Sequence, residues 1–322
     1  MGFDRTFPFI LVTIALFLVL WGRLDRTPVP IESSSVFALD SADLSEHWIV
    51  SADRARGLIE AGATLLDARS SRFPPIPGAV PVRWQDFSQP DNPDRGKLLP
   101  DDRLLTETLR EIGIFNHRPV VAIGDPSRGW GEEGRIVWML RSLGHLQAVF
   151  VDGGAAALAQ VDVKATKSSA GDFTIERREV WSIDRETLYQ GLERENWVVI
   201  DTREPREYAG ETPYGETRGG RIPGAVHLYY KTLMDDRGKL FDRQTILSVL
   251  RAKGITPESR AIAYCTGGVR SAWLTAVLVD LGFEVQNYPG SMWEWSADGE
   301  LPMERSSLPT FMTKVRSIIS TS

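Results

Sequence analysis

Ala261-Ile262-Ala263-Tyr264-Cys265-Thr266-Gly267-Gly268-Val269-Arg270-Ser271 is the stretch on which the reading of this chain turns. Its first four residues form a continuous apolar run. The spacing predicts a strand buried on both faces, as in a parallel sheet. From Ser271 to Leu281 the run is long enough for a helix, with Gly282 placed to cap its C-terminus. Between strand and helix lies a short loop that opens on Cys265. In open parallel sheets, ligands sit at the carboxyl ends of the strands. A loop entering a helix N-terminus aims backbone N–H groups at whatever lies there. Gly267 and Gly268 let the loop curl those amides inward as an anion nest, and Arg270 adds a permanent positive charge.

A lone cysteine is ordinarily a small core hydrophobe. This neighbourhood predicts instead a thiol with a depressed pKa and a populated thiolate. Protein tyrosine phosphatases need Cys-x5-Arg to encircle a phosphoryl group. Here Arg270 follows Cys265 after four residues, and Ser271 stands where the phosphatase arginine would be. The shorter ring suits a smaller electrophile, such as the outer sulfur of thiosulfate. The thiolate would retain that sulfur as a persulfide, which the amides of Thr266, Gly267, Gly268, Val269 and Arg270 would stabilise.

Working outward, the pattern occurs twice. Leu66-Asp67-Ala68-Arg69 echoes Ile200-Asp201-Thr202-Arg203, and Ile76-Pro77-Gly78-Ala79-Val80 echoes Ile222-Pro223-Gly224-Ala225-Val226. Gly96-Lys97-Leu98 echoes Gly238-Lys239-Leu240, and Leu143-Gly144 echoes Leu281-Gly282. Arg110 through Gly124 lies on Arg251 through Cys265 without a gap. A period of about 140 residues suits a duplicated domain and is too long for a solenoid. Strands alternate with helices in each copy, so the expected fold class is α/β: two tandem domains, each a mostly parallel sheet flanked by helices. The first copy has Gly124 in the place of Cys265 and a longer following loop, so it is expected to be non-catalytic, packing on the second copy and shaping the mouth of its site.

The expected organisation is an N-terminal signal anchor or signal peptide (1–22), a linker (23–45), a non-catalytic domain (46–162), an interdomain linker (163–178), a catalytic domain (179–308) and a tail (309–322). Phe7 to Trp21 is uncharged and apolar, with Arg5 before it and Arg23 and Arg26 after it. WGRLDRTPVP is a poor cleavage site, which favours a retained anchor. Pro28, Pro30 and Ser33 to Ser35 argue against a buried first helix. The very short N-terminal tail places the body on the periplasmic or extracytoplasmic side; a cleaved segment would give a secreted protein.

A net charge of −6 without a Lys/Arg block excludes nucleic-acid binding driven by backbone electrostatics. A single cysteine excludes an internal disulfide, a thiolate zinc cluster and a CxxC pair. His47, His117, His145 and His227 include no pair at i, i+3 or i, i+4, so no metal is expected. No organic cofactor is implied.

On Val199-Ile200-Asp201-Thr202-Arg203, Gly220-Arg221-Ile222-Pro223-Gly224-Ala225, the Cys265–Arg270 loop and Tyr288-Pro289-Gly290-Ser291-Met292-Trp293-Glu294-Trp295, the chain resembles the rhodanese family, specifically its tandem-domain sulfurtransferases, over about residues 46 to 308. The resemblance implies a five-stranded parallel core per domain and catalysis in the C-terminal copy alone. Two departures stand out. Arg221 replaces the histidine common in the Gly-His-Ile-Pro-Gly element, and Glu207 falls where the animal enzymes carry an arginine.

The expected roles are these. Cys265 is the nucleophile and Thr266 to Arg270 form the cradle, with Arg270 supplying charge for a small anionic sulfur donor. Arg206 is a substitute substrate contact. Asp201 either hydrogen-bonds the loop from below or pairs with an arginine, and Ser271 supports the loop. Trp293, Trp295 and His227 are expected to pack. The expected function is thiosulfate sulfurtransfer to a thiophilic acceptor such as cyanide or a thiol. 3-Mercaptopyruvate is the alternative donor; a non-enzymatic, membrane-tethered persulfide carrier is the alternative of another class.

Overall fold

The computed structural model describes residues 44–69, 73–74, 76–159 and 169–305. The proposed anchor, most of the following linker, the first part of the interdomain linker and the tail lie outside the described residues. No helix among the described residues is long and apolar enough to cross a membrane.

The first lobe runs β1 (Ile49–Val50), α1 (Ala52–Glu60), β2 (Thr64–Asp67), β3 (Val80–Pro81), α2 (Asp102–Glu111), β4 (Val120–Ile123), α3 (Glu132–Ser142), β5 (Ala148–Val151) and α4 (Gly154–Leu158). The second runs α5 (Arg185–Gly191), β6 (Trp197–Asp201), α6 (Pro205–Ala209), β7 (Val226–His227), α7 (Arg243–Arg251), β8 (Arg260–Tyr264), α8 (Val269–Asp280), β9 (Val285–Asn287) and α9 (Ser291–Ala297). Helix starts follow local chemistry: Ser51, Asp101, Asp184 and Asp242 each accept a backbone N–H from the first turn of α1, α2, α5 and α7.

Both sheets are parallel. The first has the order β1-β5-β4-β2-β3 and the second β7-β6-β8-β9. A parallel bridge from Ser182 to Asn287 extends the second sheet at the position that β1 holds in the first. The five-stranded core implied for each domain is thus present in the first lobe and present in the second as four strands plus a bridge. β6 pairs with β8 from Trp197–Arg260 to Asp201–Tyr264, so Asp201 and Cys265 emerge at the same sheet edge.

The predicted helix at Ser271 begins two residues earlier, at Val269, because Gly268 in the left-handed conformation (φ 74°) serves as its N-cap. Gly131 (φ 82°) does the same for α3. A side chain at either position would be strained. α3 and α8 are buried almost all round, which explains their weak amphipathic pattern. They pack against each other across the lobes. Trp273 of α8 lies so close to Gly134 of α3 that a Cβ there would sit 2.6 Å from its Cα. Trp138, Phe150, Tyr230 and Trp273 belong to one continuous core shared by both lobes. Asp280 at the end of α8 accepts the Trp48 N–H at 2.6 Å.

Candidate active site

Cys265 leaves the end of β8 and is buried. Its N–H donates to Ser291 Oγ at 3.0 Å. Ser291 adopts φ 51° at the start of α9, and its own hydroxyl donates to Tyr288 O at 2.7 Å. The tight turn at Tyr288–Ser291 therefore anchors the Cys265 loop from beneath. The Ser271 hydroxyl points at Cys265 Sγ, 3.6 Å away. Burial pushes the thiol pKa up. Arg270, the N–H groups of Ser271 and Gly267 and the Ser271 hydroxyl outweigh it, and the pKa falls below its ordinary value. Cys265, Thr266, Gly267, Val269 and Arg270 line one cavity of about 140 Å³, and the α8 N-terminus begins beside them. Of the residues expected to form the cradle, all but Gly268 line this cavity.

Arg270 is placed differently from its expected role as the donor's counter-charge. Its Nη1 and Nη2 donate to Glu207 Oε2 and Oε1 at 2.6 and 2.8 Å, and Nη2 also donates to Thr266 Oγ1 at 2.6 Å. The two side chains are 4% and 0% exposed, so this is a fully desolvated ion pair. The physical reason is that α6 buries the Glu207 carboxylate beside the loop, and Arg270 neutralises it. Burial pushes the Glu207 pKa up, but Arg270 more than reverses this, so the carboxylate titrates below its usual range. Thr266 donates its hydroxyl to Glu207 at 2.6 Å.

The other expected residues are placed as follows. Arg206 is solvent-exposed on α6, paired with Glu204 at 2.9 Å and bonded to Tyr214 Oη at 3.0 Å. It is absent from the cavity wall, but its partner Tyr214 stands in that wall. Asp201 takes the second of its two expected roles: it is buried against Arg203 at 2.7 Å and accepts the Tyr264 hydroxyl at 2.7 Å. Asp67 pairs with Arg69 in the same way at 2.8 Å. His227 packs as expected, its ring stacked on Tyr208 with centroids 4.5 Å apart. Trp295 is buried and donates to Pro302 O, but Trp293, expected only to pack, lines the cavity.

Four aromatic residues wall the cavity at Cys265: Trp84 and Trp130 from the first lobe, Tyr214 and Trp293 from the second. Trp130 meets Tyr214 edge to face, centroids 5.4 Å apart, and Arg270 lies 5.1 Å above the Trp130 ring. The first lobe also presses on the cradle from behind. A Cβ on Gly96 would lie 2.1 Å from Pro289 O and 2.9 Å from Gly267 O, and Lys97 pairs with Glu294 at 2.5 Å. Arg135 of α3 reaches across the interface to Gly268 O at 3.2 Å. Sequence reasoning missed Arg135, Trp84, Trp130 and Tyr214, because nothing local marks a side chain that acts across a lobe interface. Glu207 carried a signal in its departure from the animal pattern. Among the described residues no group of His, Cys, Asp and Glu could hold a metal ion.

In the first lobe, Gly124 follows β4 as Cys265 follows β8. A Cβ on Gly124 would lie 1.8 Å from Glu133 Oε2. Burial, with Glu132 adding to it, pushes the Glu133 carboxyl up to about 8, so it is largely protonated at neutral pH.

The family profile of the rhodanese-like domain matches residues 184–298. The thiosulfate sulfurtransferase of Pseudomonas aeruginosa is 32% identical over 239 residues, 71% of this chain and 85% of that protein. The thiosulfate sulfurtransferase of Azotobacter vinelandii is 29% identical over the same coverage. Among solved structures, wild-type EanB superposes with a TM-score of 0.67 at 22% identity, covering 83% of this chain and 71% of its own. YnjE superposes with a TM-score of 0.67 at 19% identity, covering 81% and 68%. The structures speak for the fold; the Pseudomonas relative, matched over most of its length, speaks for the family. With that relative and the matched domain around Cys265, the chain belongs to the rhodanese family of sulfurtransferases.

Proposed function

We propose that this protein transfers a sulfane sulfur from thiosulfate to a thiophilic acceptor through a persulfide on Cys265. The observation that carries the reading is the Cys265 thiol itself, pKa lowered, at the floor of a cavity rimmed by its own loop amides. The Cys265 thiolate attacks the outer sulfur of thiosulfate. An S–S bond forms to the protein, the bond to the sulfonate sulfur breaks, and that electron pair leaves with sulfite. The amides of the loop and the α8 N-terminus face the negative terminal sulfur of the persulfide. The acceptor, cyanide or a thiol, then attacks that terminal sulfur and regenerates the thiolate.

Thiosulfate is favoured by the relatives bearing that activity in their names, not by a free charge on Arg270. The Arg270–Glu207 pair and the aromatic walls support a second donor reading, 3-mercaptopyruvate, which carries one negative charge rather than two. Steady-state kinetics with both donors decides between them. Cys265→Ser should abolish thiocyanate formation from either donor without loss of fold; substantial residual turnover would sink the assignment.

The first lobe is read as a non-catalytic duplicate (46–162) of the catalytic domain (179–308), supported by the matching strand orders and by Gly124 in the place of Cys265. The apolar segment within residues 1–22 is read as a tether that holds the body outside the cytoplasm. Deleting residues 1–30 should then release active protein from the membrane fraction; full-length protein that fractionates as soluble with an intact N-terminus contradicts the tether.

A further inference from the structure

Arg135 is 1% exposed and belongs to the lobe that has no nucleophile. Its guanidinium donates to Gly268 O in the cradle at 3.2 Å, to Gly96 O at 2.7 Å and to Ser88 Oγ at 3.1 Å. It lies 4.5 Å over the Trp138 ring and 5.8 Å from the Trp84 centroid. All three oxygens are neutral. Among the described residues no carboxylate lies within ion-pair distance of Arg135, whereas Arg270, Arg203 and Lys97 all have one. A cation this buried is costly unless an anion compensates it.

The charged groups around the cradle are few. Arg270 on α8 is held by Glu207 on α6. Glu216 lies 3.4 Å from Thr266 Oγ1. Lys97 and Glu294 pair with each other at the turn beneath the loop. Glu133 and Glu132, beside Arg135 on α3, are both pushed towards their neutral forms by burial. Arg270 is the cation that lowers the Cys265 pKa, but it is shared with Glu207, whereas Arg135, among the described residues, has no carboxylate of its own.

We propose that Arg135 is a positioning residue that the first lobe lends to the Cys265 loop: it fixes the Gly268 carbonyl and adds a second buried positive charge to that of Arg270, favouring the Cys265 thiolate and then its persulfide. The inference rests on the persulfide reading above. It gives the first lobe a part in the chemistry beyond walling the cavity. Burial pulls the Arg135 pKa down to about 9, and the one charge that pulls it back up is Cys265. Charge on the arginine and charge on the sulfur therefore favour each other.

The test is the pH dependence of Cys265 alkylation by iodoacetamide, measured on the full chain. This protein has a single cysteine, so the signal has one source. Arg135→Met should slow alkylation at neutral pH about tenfold, the change for one unit of thiol pKa. Arg135→Lys keeps the charge and loses the fork, and should keep the midpoint near that of the wild type while lowering kcat. A merely structural role moves stability but leaves the alkylation midpoint in place. If Arg135→Met does not fold, Arg135→Gln against Arg135→Lys makes the same comparison. A wild-type midpoint in the Met or Gln variant, or the same shift in Lys as in its neutral counterpart, overturns the proposal. Persulfide formation from thiosulfate is followed in the same wild-type preparation. Its absence would fail the transfer reading and still leave the alkylation result interpretable.

Discussion

Because Arg270 and Glu207 form a closed, buried pair, removing either one has a different consequence from removing both. Arg270→Met strands a carboxylate that is 0% exposed beside the nucleophile, and Glu207→Gln strands a guanidinium that is 4% exposed. Leaving one partner of such a pair uncompensated costs about 3–5 kcal/mol. At about 2–4 °C per kcal/mol for domains of 150–250 residues, each single variant should melt roughly 6–20 °C lower. The double variant removes both charges and should come back to within about 2 kcal/mol of the wild type, since a buried pair is often replaceable as a unit. The coupling energy is then about 4 kcal/mol or more, above the roughly 0.5–3 kcal/mol usual for residues in contact. Activity divides the same way. In Arg270→Met the unpaired Glu207 repels a thiolate, and kcat/KM for thiosulfate should fall by about 10–100-fold, the change for about one to two units of thiol pKa. In the double variant the repulsion is gone and part of the loss should return. The assays are thermal or urea unfolding followed by tryptophan fluorescence, and thiosulfate:cyanide kinetics, on all four proteins. Additive stabilities would refute the pair, and a double variant as inactive as Arg270→Met would show that Arg270 contacts the donor directly.

Three further outcomes follow from the same contacts. Glu207 titrates below its unfolded value, so its contribution is complete above about pH 4.3 and is lost as pH falls through the depressed folded pKa; Glu207→Gln should flatten this part of the acid limb of a stability–pH profile, and an unchanged limb counts against the pairing. Gly124→Cys should be destabilising by about 1–3 kcal/mol, because its Cβ meets Glu133 at 1.8 Å, and adding Glu133→Ala should relieve the loss; equal stability of the single and double variants contradicts that contact. A chain of roughly residues 178 to 310 loses Arg135, Gly96, Trp84 and Trp130 from around the cradle and exposes the α8 face covered by α3; it should be poorly soluble or weakly active, and full activity in a well-behaved monomer would show that the first lobe is dispensable.

What was legible in the sequence was local. The apolar run before Cys265, the paired glycines and the following helix are neighbours in the chain, and the structure keeps them neighbours. The echo of Asp67-Ala68-Arg69 in Asp201-Thr202-Arg203 marked the ends of β2 and β6 correctly, because each aspartate meets an arginine two residues away. Charge compensation was not legible. Arg270 and Glu207 are 63 positions apart, and only the fold shows that the cation in the loop is already spoken for. The cavity wall was hidden for the same reason. Trp130 and Tyr214 meet across lobes, and neither sits in a periodic or motif-like setting. Trp293 was read as packing from its place in the closing segment, yet its ring is so close to Gly267 that a Cβ there would lie 2.1 Å from it. Arg206 reads in the sequence as a substitute for a missing arginine; in the fold it lies exposed on a short helix beside Glu204 and Tyr214.

The central claim is that Cys265 carries the sulfur. Intact-protein mass spectrometry of the full chain, mixed with thiosulfate and then with cyanide, tests it most directly. The account predicts a gain of one sulfur atom, localised to Cys265, that disappears on adding cyanide as thiocyanate is formed. A chain that turns over thiosulfate while its mass never changes, or that gains the sulfur equally in Cys265→Ser, would contradict it.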